Sequence, residues 1–223
     1  MKQTLMQLVE RFRGDATDDV QPYLFSDEFV KQALNEAQHE AAIRARLLHE
    51  CDNPAVCEIT LQAGKSVYPL HESLYEITHL ARIEDGQPDT LLELKSVEWL
   101  DRNEPDWRTD HKYVLPYAVQ MDTKIRLATP PKAAGLLRIE CYRLPLRAMC
   151  NERDTPEIHT AHHEKLVYWA LHRAFSRPDA DGFDPQRAAS ALAMFTDYFG
   201  LRPDADLRRD SREDLHHANV SYL

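Results

Sequence analysis

At 223 residues, with 43% hydrophobic and 29% charged residues, the chain can bury one sizeable core or two modest ones, which excludes wholesale disorder. A formal net charge of −10, from 37 acidic and 27 basic residues, argues against a surface that grips nucleic acid through phosphate contacts. It does not argue against a wall that a duplex passes without adhering, because acidic surfaces repel the backbone. No apolar run approaches the roughly 20 residues that span a bilayer. The opening MKQTLMQLVERFRG lacks an uninterrupted apolar stretch and a small-residue cleavage site, so neither membrane insertion nor a signal peptide is expected. Of four cysteines, none forms a CxxC pair, and Cys57 and Cys141 fall on the apolar phase of alternating segments. That pattern predicts buried free thiols and a reducing compartment.

In chain order, residues 3–13 place Leu5, Leu8, Val9 and Phe12 on one helical face, with Gly14 ending the run. Residues 15–21 read as an acidic connector. Ser26 then caps a helix predicted over 26–49, with Asp27 and Glu28 in its first turn. Its Ala33, Ala37, Ala41 and Ala45 recur every fourth residue, which lets another helix approach closely, within the chain or from a second subunit. From Asn53 the period changes from 3.6 to 2. Strands are predicted near 57–62, 67–70, 75–84, 90–95, 113–120, 124–129 and 136–143, with Asp122-Thr123 as a hairpin turn and a short helix from Ser96 to Asn103. Thr155-Pro156 opens a third long helix over 157–176, and Asp184-Pro185 a fourth over 185–199. After Leu201 the hydrophobic content collapses.

The expected fold is therefore α+β, with a helical bundle from the N- and C-terminal helices and an inserted antiparallel β sandwich or barrel. The expected parts are a bundle over 1–52 and 151–201, a β module over 53–150, and an extended arm over 202–223. In the arm, Arg208 and Arg209 precede the apolar tip Val220, Tyr222 and Leu223. A polar body with an apolar tip suits a groove on a partner better than its own domain.

Catalytic signatures are scarce. His-Glu occurs at 39, 49, 71 and 163, but Ile43, Asn53, Tyr75 and Val167 stand where an HExxH motif needs its second histidine. His159, His162 and His163 share helical spacing yet would need a further ligand from elsewhere. GxxxxGK[ST], GxGxxG and GxSxG are all missing from the sequence. Asp15, Asp18 and Asp19 read as a solvated linker. Trp99, Trp107 and Trp169 lack a neighbouring Lys/Arg belt in sequence and read as packing residues. No enzyme activity, cofactor or metal is expected.

Particular words, in this order, resemble phage head–tail adaptors, relatives of tail tubular protein A of short-tailed phages. They are PYLFSDE at 22–28, LNEAQ at 34–38, AIRARL at 42–47, TLQAGKSVYPL at 60–70, DWR at 106–108, WALHRAF at 169–175 and DAD at 179–181. The likeness covers residues 1 to 207. It implies a structural virion protein assembled in the host cytoplasm, forming a ring of about twelve copies in the neck. The implied partners are the portal protein above, a tail or nozzle component below, and double-stranded DNA that passes without sequence-specific binding. Arg208, Arg209, Val220, Tyr222 and Leu223 would then meet the portal or the neighbouring subunit. The competing expectation is a non-catalytic, soluble protein-binding module of bacterial or prophage origin; formation of a ring separates the two.

Overall fold

The computed structural model describes residues 2–84, 89–109, 113–178 and 181–203. In chain order the elements are α1 (Leu5–Ala16), α2 (Asp27–Ala45), β1 (His49–Glu50), α3 (Pro54–Cys57), β2 (Glu58–Leu61), β3 (Val67–Pro69), β4 (Leu74–Ile83), β5 (Thr90–Leu91) and β6 (Glu93–Leu94). Then come α4 (Val97–Asn103), β7 (Tyr117–Gln120), β8 (Lys124–Leu127), β9 (Gly135–Arg143), a 3-10 helix at Thr160–Lys165, α5 (Leu166–Phe175) and α6 (Pro185–Phe199). The fold is α+β. Its contacts divide into two compact units, one from the segments ending at Leu48 and beginning at Arg143, the other over His49–Tyr142. The chain thus passes between units at 48/49 and 142/143, where the sequence places the changes at 52/53 and 150/151.

In the helical unit, α1, α2, α5 and α6 share one core built on Leu5, Leu8, Phe12, Leu34, Val167 and Phe195. Local chemistry sets the helix ends. Thr4 and Gln7 form a capping box on α1, Ser26 Oγ accepts from Phe29 N on α2, and Asp184 accepts from Gln186 and Arg187 N ahead of Pro185 on α6. Two ends differ from expectation. Gly14 sits inside α1, which continues to Ala16 and closes on left-handed Thr17 (φ 58°). The α2 helix stops at Ala45 because Arg46 turns left-handed (φ 50°). The third long helix also starts later than Thr155-Pro156 suggests. A 3-10 turn comes first, since the His159 ring accepts from Ala161 N and the His163 ring turns inward to the backbone.

In the β unit, the first sheet runs β1-β9-β4-β5 with β2 also on β9, and the second runs β3-β8-β7-β6. Both contribute to one core of Leu61, Tyr68, Ile77, Ile125, Leu137 and Ile139. Strand β7 alternates faces. Ala118 joins that core, while Tyr117 and Val119 join a smaller cluster with Leu100 of α4 and Trp107. The second sheet is therefore covered on both sides, and β7 reads as an apolar run. The segment expected as one strand over 90–95 divides. Thr90–Leu91 pairs antiparallel with β4, whereas Glu93–Leu94 pairs parallel with β7. Strand 113–120 shortens to β7, and the β7–β8 hairpin closes through Met121 N to Lys124 O at 2.7 Å. A Cβ on Gly135 would meet Ile83 O at 2.6 Å, so β9 begins where only glycine lets two backbones approach.

Candidate interaction surfaces

Helix α2 presents two faces. Ala33, Ala37 and Ala41 are buried in the helical core, where α5 supplies Ala170 and Ala174, so small residues meet on both helices. Ala45 is exposed, one turn beyond them. On the other side, Gln32, Glu36, His39 and Ile43 of α2, with Trp169 and Arg202, line an open groove of about 440 Å³. Burial holds His39 below the usual histidine range. Trp169 Nε1 is buried without a hydrogen-bond partner among the described residues. Arg44 anchors this end of the unit. Its Nε donates to Glu40 at 2.8 Å, its Nη1 to Thr196 Oγ1 at 3.1 Å and Gly200 O at 3.2 Å, and its guanidinium lies 5.2 Å from the Phe195 ring centre. A second groove of about 530 Å³ runs between Arg11, Tyr168, Phe175, Arg187 and Met194.

The acidic connector is not a solvated linker at Asp18. That side chain is buried, pairs with the equally buried Arg13, and accepts from Leu24 N at 2.7 Å and Phe25 N at 3.1 Å. Arg13 also reaches Asp27 at 2.7 Å and lies 4.0 Å over the Tyr23 ring. The connector is thereby stapled to the ends of α1 and α2. Nothing in the spacing of Asp15, Asp18 and Asp19 marks which one turns inward.

The three clustered histidines diverge. His163 is fully buried; its Nδ1 accepts from Gln3 N at 3.2 Å and its Nε2 donates to Ile158 O at 3.0 Å, so both ring nitrogens serve backbone. His162 instead meets Tyr198 Oη at 3.2 Å, and burial, then the neighbouring His159 and His163, lower its pKa. Among the described residues no group of three His, Cys, Asp or Glu is arranged to hold a metal ion.

In the β unit, Trp107 is buried between Arg108 at 4.4 Å and Arg126 at 4.7 Å, and Lys95 lies 4.9 Å from Trp99. The fold adds the distant Arg126 to the sequence-local Arg108, but a buried Trp107 cannot stack on a base. Gln120 joins the two sheets, its Oε1 accepting from Ile77 N and its Nε2 donating to Tyr75 O, both at 3.1 Å. These are structural roles.

A family model described as SU10 adaptor protein matches residues 3–218. The chain belongs to the SU10 adaptor protein family. No curated protein matches it. Membership makes it a phage adaptor, a structural kind of protein, and implies portal and tail partners and a place in the virion neck. The match reaches beyond residue 207, where the resembling words end, and takes in Arg208 and Arg209 but not Val220, Tyr222 or Leu223. All five of those arm residues lie outside the described residues. The sequence missed Asp18, Arg44 and Gln120 as organising residues of this adaptor. Only Gln120 carried a signal, as a polar residue in an apolar run.

Proposed function

We propose that this adaptor forms a ring beneath the portal of a filled phage head, lengthens the DNA channel and joins head to tail. The family match over residues 3–218 carries this reading. Three further features support it. The helical unit has a continuous core and capped helices, as a rigid ring segment requires. The β unit offers a second folded contact surface with its own core. The net charge of −10 per chain suits a channel wall that must not hold the duplex. The arm over 202–223 is assigned to the portal, with the arginines meeting acidic groups and Tyr222 buried in a groove.

The test is reconstitution. DNA-filled heads carrying portal but lacking neck proteins are mixed with the purified chain and sedimented. Co-sedimentation at one ring per portal vertex, with retention of the genome, is the expected result. Heads that sediment without bound chain, at a saturating concentration of the folded full-length protein, contradict the reading.

A further inference from the structure

We propose that a basic, tyrosine-tipped end of the β unit docks into an acid-rimmed groove on the helical unit of a second copy of this chain. The choice of a second copy as partner rests on the ring reading, and the contact names the surfaces through which one copy meets the next. Three loops build the tip. Gly64 N donates to Pro131 O at 2.9 Å. Leu115 N donates to Thr129 Oγ1 at 2.9 Å, and that hydroxyl donates to Tyr113 O at 3.4 Å. Residues 62–66, 113–116 and 128–134 are thereby gathered at one end of the unit. Tyr113 is 81% exposed and Val114 47%. Lys65 and Lys132 are exposed on the same loops, and these three stretches contain no Asp or Glu, in a chain whose net charge is −10. An aromatic ring held out to water on a pinned backbone gains by entering a pocket on a partner.

The groove lies along α1 and the connector that follows it. Met6, Val9 and Tyr23 supply its apolar lining, and its volume of about 280 Å³ suits one aromatic side chain rather than a larger ligand. Met6 is 50% exposed and Tyr23 39%. The wall is preformed, because Asp18 ties the connector at Leu24 N and Phe25 N and Arg13 lies 4.0 Å over the Tyr23 ring, so docking orders little. Glu10, Asp27 and Glu152 stand around the groove against Lys31, while Arg13 is committed to Asp18 and Asp27. Glu10 and Glu152 are exposed and enter none of the described ion pairs. Tyr113 thus fills the apolar floor while Lys65 and Lys132 meet Glu10 and Glu152. The phosphates of a passing duplex would satisfy the lysines but not Tyr113 and Val114, which favours the protein groove. Because the two surfaces differ, the contact is heterologous, and repeated from copy to copy it generates a ring where the rotation closes.

The full chain, with Tyr113 replaced by photoreactive p-benzoylphenylalanine and labelled with heavy isotopes, is mixed with light wild-type chain. The mixture is irradiated with portal-bearing heads and, separately, alone at raised concentration, and the products are mapped by peptide mass. The expected product joins the heavy segment around position 113 to a light segment carrying Met6, Val9 or Tyr23. Glu10→Lys with Glu152→Lys in the light chain should cut its yield about tenfold, since like charges then face each other. Lys65→Glu with Lys132→Glu in the heavy chain should restore it. Where the chain sediments with the heads, the head-bound sample decides. Where it does not, the ring reading fails by itself and the head-free sample decides the contact. In the deciding sample the heavy–light product at the groove sustains the proposal. A product confined to one copy, a product on DNA, on the portal or on another face of the chain, a yield indifferent to the charge reversals, or no product overturns it.

Discussion

Asp18 is a buried carboxylate that ties Arg13 to the backbone at Leu24 and Phe25. Replacing it with alanine frees Leu24 N and Phe25 N and leaves Arg13 buried with the half-exposed Asp27 as its only carboxylate partner among the described residues. The expected cost is about 3 kcal/mol, the usual range for breaking a buried pair from one side, read as a lowered urea midpoint. Asp27→Ala should cost under about 1 kcal/mol, because that partner is solvent-screened. In the β unit, Gln120→Leu keeps the volume but removes the bonds to Ile77 N and Tyr75 O, so a loss of about 2 kcal/mol is expected in the same measurement. His39 and His162 supply a pH dependence. Burial lowers both below the ordinary histidine value of 6.5, so the unfolded chain binds these protons more readily than the folded one. Their stabilisation is present above that value and is lost as pH falls through the lower folded pKa. Thermal melting at successively lower pH should show the decline, and His162→Gln should flatten it.

Among the elements, α2 shows what small residues decide. Ala37 is fully buried in the shared core, so Ala37→Leu should overpack it by about 1–3 kcal/mol. Ala45→Leu, on an exposed turn, should leave the isolated chain's melting unchanged. If the alanine row also forms a subunit seam, only Ala45→Leu will alter ring yield without altering folding. Much of this level was legible in the sequence. Ser26, Ser96 and Asp184-Pro185 each cap the helix they announce, because the cap is a contact within a few residues. What could not be read depends on partners far along the chain. The 3-10 turn at Thr160–Lys165 follows from His163 bonding to Gln3 and Ile158. The break between β5 and β6 exists because two different sheets claim adjacent residues. Asp18 turns inward because Arg13 waits there, and the local pattern DATDD is blind to it.

For the whole molecule, the acidic balance and the arm give separate expectations. The isolated chain should bind DNA weakly and without sequence preference, since its basic residues are scattered and many are paired within the fold. A tight, salt-sensitive gel shift at physiological salt would reveal a basic patch on the assembled surface. Truncation after Leu201 removes, among described ion pairs, only that of the exposed Arg202 with the buried Glu40 at 3.7 Å. Melting should therefore stay nearly constant while attachment to filled heads is lost; infectious particles at normal yield would mean that the arm is dispensable. The central claim is the ring under the portal, and a cryo-electron microscopy reconstruction of the neck of the phage that encodes this chain tests it most directly. The expected result is a closed ring of density directly below the portal that accommodates the α1–α2–α5–α6 unit in every subunit and surrounds the DNA channel. Density below the portal that fits neither the helical nor the β unit, with this chain elsewhere in the particle or missing from it, would contradict it.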